Sequence, residues 1–283
     1  MSQINVDIIE NQSTFDPLNP YNRPQMSVNG LIVPQQNDNC PPLCSEIVIG
    51  LGAADLLAGG ADSVIIGDGA VNSLTFTNYS TIVGHGAGLA MTSGDENTMV
   101  GRLAGWYMLA GNENVIIGNR DNSGPLVVGT FTGNNNIVIG SGATPSNING
   151  VNNEITLGNS SNTVLRCQAT TITSLSDERD KKEIQELPVG LEFIEKLKPV
   201  KFVWNDRDED GKHDVEDFGF IAQDLKAVQE ESKASYLNLV YDENPEKLEA
   251  SYGKLLPVLV KAIQEMSSEI KSLKEEIEIL KSK

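Results

Sequence analysis

Short β-branched runs closed by glycine recur through the first half of the chain: IVIG at 47–50, VIIG at 64–67, TIVG at 81–84, TMVG at 98–101 and VIIG at 115–118. The closing glycines Gly50, Gly67, Gly84, Gly101 and Gly118 are each 17 residues apart. Two later runs, ending at Gly140 and Gly158, follow after 22 and 18 residues, and an insertion around Asn122–Thr132 accounts for the first departure. Such a run reads as one short strand with alternate side chains buried. The turn after it often reads G-x-G-A, as at Gly67 to Ala70 and Gly84 to Ala87, where glycine supplies the positive φ of a tight corner. Ser63, Ser80, Asn97, Asn114 and Asn136 precede the strands and suit a turn that bonds to its own backbone. One rung buries too little apolar surface alone, so the pattern predicts stacked rungs: a β-roll or β-solenoid of 17-residue repeats over 46–166.

The rungs are thin, because aromatic residues are few and 17 residues enclose only a narrow core. Joining three chains would bury the outer apolar faces and shield strand edges, so a homotrimer is expected, with a monomeric solenoid as the alternative.

The pattern changes near residue 176. Glycine and asparagine give way to Lys, Glu and Leu, and most of the chain's charge lies beyond that border. Tyr252, Leu256, Leu259, Ile263, Met266, Ile270, Leu273, Ile277 and Leu280 alternate spacings of four and three without a break. That is the seam of a coiled coil over about 252–283, flanked by Lys and Glu, with a helix packed on its own domain as the alternative. The prediction is a mainly β N-terminal part followed by an α+β domain over 177–283 that ends in a long helix, with 167–176 as linker.

Residues 1–45 carry Pro17, Pro20, Pro24, Pro34, Pro41 and Pro42 with no sustained periodicity, which reads as an extended arm able to dock on a larger particle, or as a disordered tail. The chain has 21 Lys plus Arg against 39 Asp plus Glu, a net charge of −18, which argues against nucleic acid or an anionic membrane as partner. No apolar run approaches the roughly 20 residues of a membrane span, and no secretory leader pattern opens the chain. Cys40 and Cys44 form a lone C-x3-C and, with Cys167, read as free thiols.

At the border stands TSLSDERDKKEIQEL (173–187), containing S-D-x-x-x-K at Ser176, Asp177 and Lys181. LKPVKFVW (197–204), GFIAQDL (219–225) and YGKLLPVLVKAIQEM (252–266) follow. In this order and spacing the four phrases resemble the intramolecular chaperone auto-processing domain of phage tailspikes and fibres, the peptidase S74 family, which also occurs in a eukaryotic membrane-bound transcription factor. The repeats are similar to trimeric-adhesin head repeats and the collar-like rolls of phage fibres. The resemblance implies a trimeric tail or fibre protein of a virus or phage, made in the host cytoplasm and built into the virion. Other tail proteins held by the N-terminal arm and a host surface receptor are its implied partners. It implies single-turnover self-cleavage with Ser176 as nucleophile and Lys181 as base, Lys182 being the decoy. The family cut falls at Ser176–Asp177, while an N-to-O acyl shift would break Leu175–Ser176 instead. A serine hydroxyl needs such a base, and lysine serves once burial favours its neutral form. As a purely structural alternative, Ser176 caps a helix. Family members often place a histidine just before GFIAQ, where this chain has residues near Asp217, and its nearest histidine is His213. If that histidine assists cutting, cleavage here is slow or absent and the folding role survives.

Asp206, Asp208, Asp210 and Gly211 match the first half of a calcium loop, with Asp214 and Asp217 at its ninth and twelfth places. The flanks read as strands, so an acidic hairpin tip is the alternative. A polysaccharide-degrading tailspike would need a groove with paired carboxylates, and the repeats offer few acids.

Overall fold

The computed structural model describes residues 26–28, 31–33, 47–57, 59–120, 131–148, 150–162, 164–168, 172–205 and 214–282. The chain divides into two compact units, Met1–Asn159 and Ser160–Lys283. Among the described residues no helix is long and apolar enough to cross a membrane.

Within the stretch expected to be an extended arm, β1 (Met26–Val28) pairs antiparallel with β2 (Leu31–Val33). Then come β3 (Ile47–Ile49), β4 (Gly59–Ala61), β5 (Val64–Ile66), β6 (Phe76–Asn78), β7 (Thr81–Val83), β8 (Thr98–Val100), β9 (Val115–Ile117), β10 (Ile137–Ile139) and β11 (Ile155–Leu157). Seven of them form one parallel sheet in the order β3-β5-β7-β8-β9-β10-β11, each strand in register with the next repeat. Strands β4 and β6 pair on a second wall. The first unit is therefore a parallel β-solenoid of about six turns.

Its core follows from the repeat. The middle residue of each strand points inward, so Val48, Ile65, Ile82, Met99, Ile116 and Val138 form one buried column. The alanine three residues after the closing glycine forms a second, in Ala53, Ala70, Ala87, Ala104 and Ala143, and Leu74, Met91, Met108 and Phe131 a third. The first and third strand residues face outward and stay apolar on most rungs, with threonine at Thr81 and Thr98 and no charge on this face.

The polar residues before the strands do more than the turn chemistry predicts. Ser63, Ser80, Asn97, Asn114 and Asn136 are buried. Each accepts from the backbone N–H of its counterpart one rung on: Ser80 to Ser63 Oγ (3.1 Å), Asn97 to Ser80 Oγ (3.2 Å), Asn114 to Asn97 Oδ1 (3.0 Å) and Asn136 to Asn114 Oδ1 (3.1 Å). The asparagine amides also donate across the coil, Asn97 Nδ2 to Gly111 O (2.8 Å) and Asn114 Nδ2 to Gly133 O (2.9 Å). The ladder stitches rungs together and leaves few buried polar groups without partners. Glu154 ends it, its N–H donating to Asn136 Oδ1 (3.0 Å).

The second unit is a small α/β region followed by a long helix. A 3-10 turn at Glu178–Asp180 precedes α1 (Leu191–Lys196), β12 (Val200–Val203), β13 (Glu216–Gly219) and α2 (Ala222–Glu231). Next come β14 (Val240–Tyr241), β15 (Glu249–Ala250) and α3 (Leu255–Lys281). Strands β12 and β13 pair antiparallel, as do β14 and β15. Val189, Phe193, Leu225, Leu237, Leu239, Leu255 and Val258 form the core. Tyr252, the first residue of the predicted seam, lies in a 3-10 turn before α3, where its hydroxyl donates to Phe220 O (3.3 Å). Pro257 falls in the first turn of α3, where no backbone bond is lost.

Helix α3 divides its apolar residues between two surfaces. Leu255, Val258 and Ala262 are buried against their own domain, while Leu256, Leu259, Ile263, Met266, Ile270, Leu273, Ile277 and Leu280 are exposed.

Candidate functional site

The stretch around Ser176 has no regular element before the turn, and every residue from 172 to 186 is exposed. Packing does not shape it, so local hydrogen bonds do. Asp177 is extended (φ −68°, ψ 137°) and Lys181 returns to extended backbone (φ −121°, ψ 147°) on the far side of Glu178–Asp180. Asp180 N–H donates to Asp177 O (3.3 Å) and Lys181 N–H to Glu178 O (3.0 Å), closing the turn. Residues 176 and 181 thereby face each other. Lys181 Nζ donates to Ser176 Oγ at 2.6 Å and to the Ser176 carbonyl at 2.9 Å.

The cap of this turn is Asp177, not Ser176 as the structural alternative had it. The Asp177 carboxylate accepts from Arg179 N–H (2.9 Å), Nε (3.0 Å) and Nη2 (2.6 Å). The Arg179 side chain, and then its backbone N–H, hold the Asp177 carboxyl below the usual carboxylate range. Sequence reasoning passed over Arg179. An acid followed two residues later by arginine was the available signal, but so short a spacing rarely marks a pair.

A chain of contacts links the region just beyond the turn to α3. Lys261 Nζ pairs with Glu186 (3.4 Å) and lies 3.9 Å from Glu265. Glu265 Oε2 accepts from Leu191 N–H (2.7 Å), satisfying a free donor at the start of α1 where Gly190 offers no side chain. A Cβ at Gly190 would displace that carboxylate from Leu191 N–H.

Of the calcium positions, Asp206, Asp208 and Asp210 lie outside the described residues, as does His213. Asp217 Oδ2 accepts from Trp204 Nε1 (3.0 Å) and Oδ1 from Phe218 N–H (2.9 Å), and Asp214 N–H donates to Trp204 O (3.2 Å). Asp217 thus holds Trp204 at the loop end of the β12–β13 hairpin. Among the described residues no three His, Cys, Asp or Glu side chains gather as metal ligands. Cys167 is exposed and in no disulfide among the described residues, while Cys40 and Cys44 lie outside them.

Residues 176–233 match the family model described as chaperone of endosialidase (Peptidase_S74). The match opens at Ser176 and takes in Lys181, the β12–β13 hairpin and α2, supporting a chaperone domain that begins at this serine. No curated protein and no solved structure matches the chain.

Proposed function

We propose that this chain is a structural fibre or tail protein of a virus or phage, assembled as a homotrimer by its C-terminal intramolecular chaperone, which then cuts itself at Ser176. The observation that carries the reading is the 2.6 Å approach of Lys181 Nζ to Ser176 Oγ at the first residue of the matched stretch. In this reading the neutral amine of Lys181 takes the Ser176 hydroxyl proton and frees Oγ to attack a peptide carbonyl. The cut is assigned to Ser176–Asp177, where Oγ adds to the Ser176 carbonyl carbon, the Asp177 nitrogen leaves with the proton returned by Lys181, and water opens the resulting lactone; Leu175–Ser176 is the alternative. For the latter, Oγ adds to the Leu175 carbonyl through a five-membered ring, the Ser176 nitrogen leaves with the proton returned by Lys181, and water hydrolyses the ester.

Assembly and cutting are coupled. Ile172 and Leu175 stand 97% and 99% exposed beside Ser176, with Ile184 beyond the turn, and a neighbouring chain would cover them. Cover excludes water from the turn, which strengthens the hydrogen bonds that hold Lys181 on Ser176. Support for the trimer comes from two unpartnered apolar surfaces, the outer face of the seven-stranded sheet and the exposed seam of α3. Three seams joining first would set three solenoids in register and reduce the entropy cost of starting contacts between chains. A cut solenoid without its nucleus is kinetically held.

A second reading keeps the chaperone attached as an assembly clamp on a trimeric adhesin-like receptor-binding protein. It is favoured by Asp217, bound to Trp204, standing where family members often have histidine. Intact mass of the full chain beside Ser176→Ala and Lys181→Met separates the two. Two fragments from the parent and one chain from each variant are expected, and the two candidate bonds differ by the mass of one serine residue. A parent that stays whole removes the cleavage reading and leaves the clamp.

A further inference from the structure

We propose that Arg179 is a positioning residue for cleavage at Ser176, its guanidinium forked onto the Asp177 carboxylate so that the turn at 177–181 returns Lys181 to the serine. The inference rests on the Ser176–Lys181 reading and adds the part that makes the pair meet.

The argument is geometric. A single 3-10 turn of three residues is a weak element, with two backbone bonds of 3.3 and 3.0 Å to close it. Residues 172–186 are exposed, so no core packing compensates. What remains is the Asp177–Arg179 clamp, three bonds between 2.6 and 3.0 Å that tie both ends of the first peptide units of the turn. Two of them come from the guanidinium as a planar fork onto the two carboxylate oxygens, a geometry lysine cannot reproduce.

The clamp also removes a competitor. Asp177 adjoins Ser176, and its carboxylate, if released, becomes an acceptor open to the Lys181 side chain. With both oxygens occupied by Arg179, Lys181 is left to Ser176 Oγ and the Ser176 carbonyl. Removing Arg179 therefore loosens the turn and offers Lys181 a better partner than the serine, and both effects displace the base from its proton.

The test follows fragment appearance over time in the full chain, with native mass and thermal melting as controls on assembly. Arg179→Ala is expected to slow cleavage by about 10- to 100-fold, the scale for a reacting group displaced by an ångström, with oligomer and melting temperature unchanged. Arg179→Lys restores only part of the rate, and free guanidinium at non-denaturing concentration speeds Arg179→Ala but not Ser176→Ala. Cleavage of Arg179→Ala at the parental rate overturns the proposal. So does slow cleavage that accompanies lost assembly and is untouched by guanidinium, which is a folding defect. A parent chain that never cuts overturns the Ser176–Lys181 reading as well, and so is told apart from failure of the Arg179 proposal alone.

Discussion

At Gly84 the backbone takes φ +144°, and a Cβ there would run into the carbonyl of Gly101 on the next rung. Gly69, in the turn of the preceding coil, has φ +62° and open space around the same position. Glycine is required at Gly84 by conformation and by room, at Gly69 by conformation alone. Gly69→Ala should therefore cost about 1 kcal/mol, while Gly84→Ala should cost roughly 3 kcal/mol or more as strain and clash add. Equilibrium denaturation of the two variants side by side checks the order. In the buried ladder, Asn114→Ala strands the Gly133 carbonyl and the Asn136 N–H, at about 1–3 kcal/mol. At the turn, Arg179 lowers the Asp177 carboxyl, so the clamp is complete at neutral pH and is lost only as pH falls through that lowered value. The Asp177 carboxyl carbon shift, followed by NMR in Ser176→Ala, should titrate below the normal aspartate range, and in Ser176→Ala with Arg179→Ala it should move back up. At this scale the sequence disclosed the closing glycines, and it singled out Ser176 and Lys181, which the structure brings to 2.6 Å. It did not disclose the left-handed corners at Tyr79, Glu96 and Glu113, because none of these residues favours that conformation and only the stacked rung above and below imposes it.

A strand of three residues is stable here only because its neighbours repeat it, and α3 is long enough to carry two contacts at once. The heptad pattern located the exposed seam, but the pattern could not separate it from Leu255, Val258 and Ala262, which share the first turns and face the domain instead. That division lets the two roles be broken apart. Ile270→Asp should abolish association without lowering the melting temperature of the domain measured at dilution, as seen by sedimentation and circular dichroism. Val258→Ala, in the core beside Phe193 and Leu225, should cost the domain about 2 kcal/mol and leave the seam intact. The β12–β13 hairpin matches the strand-like flanks read on either side of the acidic loop. The capping of α1 by Glu265 was not, because the two residues are 74 apart and nothing in either segment names the other.

For the whole molecule, the abrupt change of composition near residue 176 marked two materials, and the structure accordingly has a solenoid and a helical α/β unit that each fold around their own core. On the proposed reading the two are related in time, the second material assembling the first. Native mass of the Ser176→Ala chain, beside a chain ending at Ser176, tests this most directly. The account expects intact 30.5 kDa chains in threes from Ser176→Ala, and insoluble or unassembled solenoid from the truncated chain. A soluble, trimeric solenoid made without residues 177–283 would contradict it.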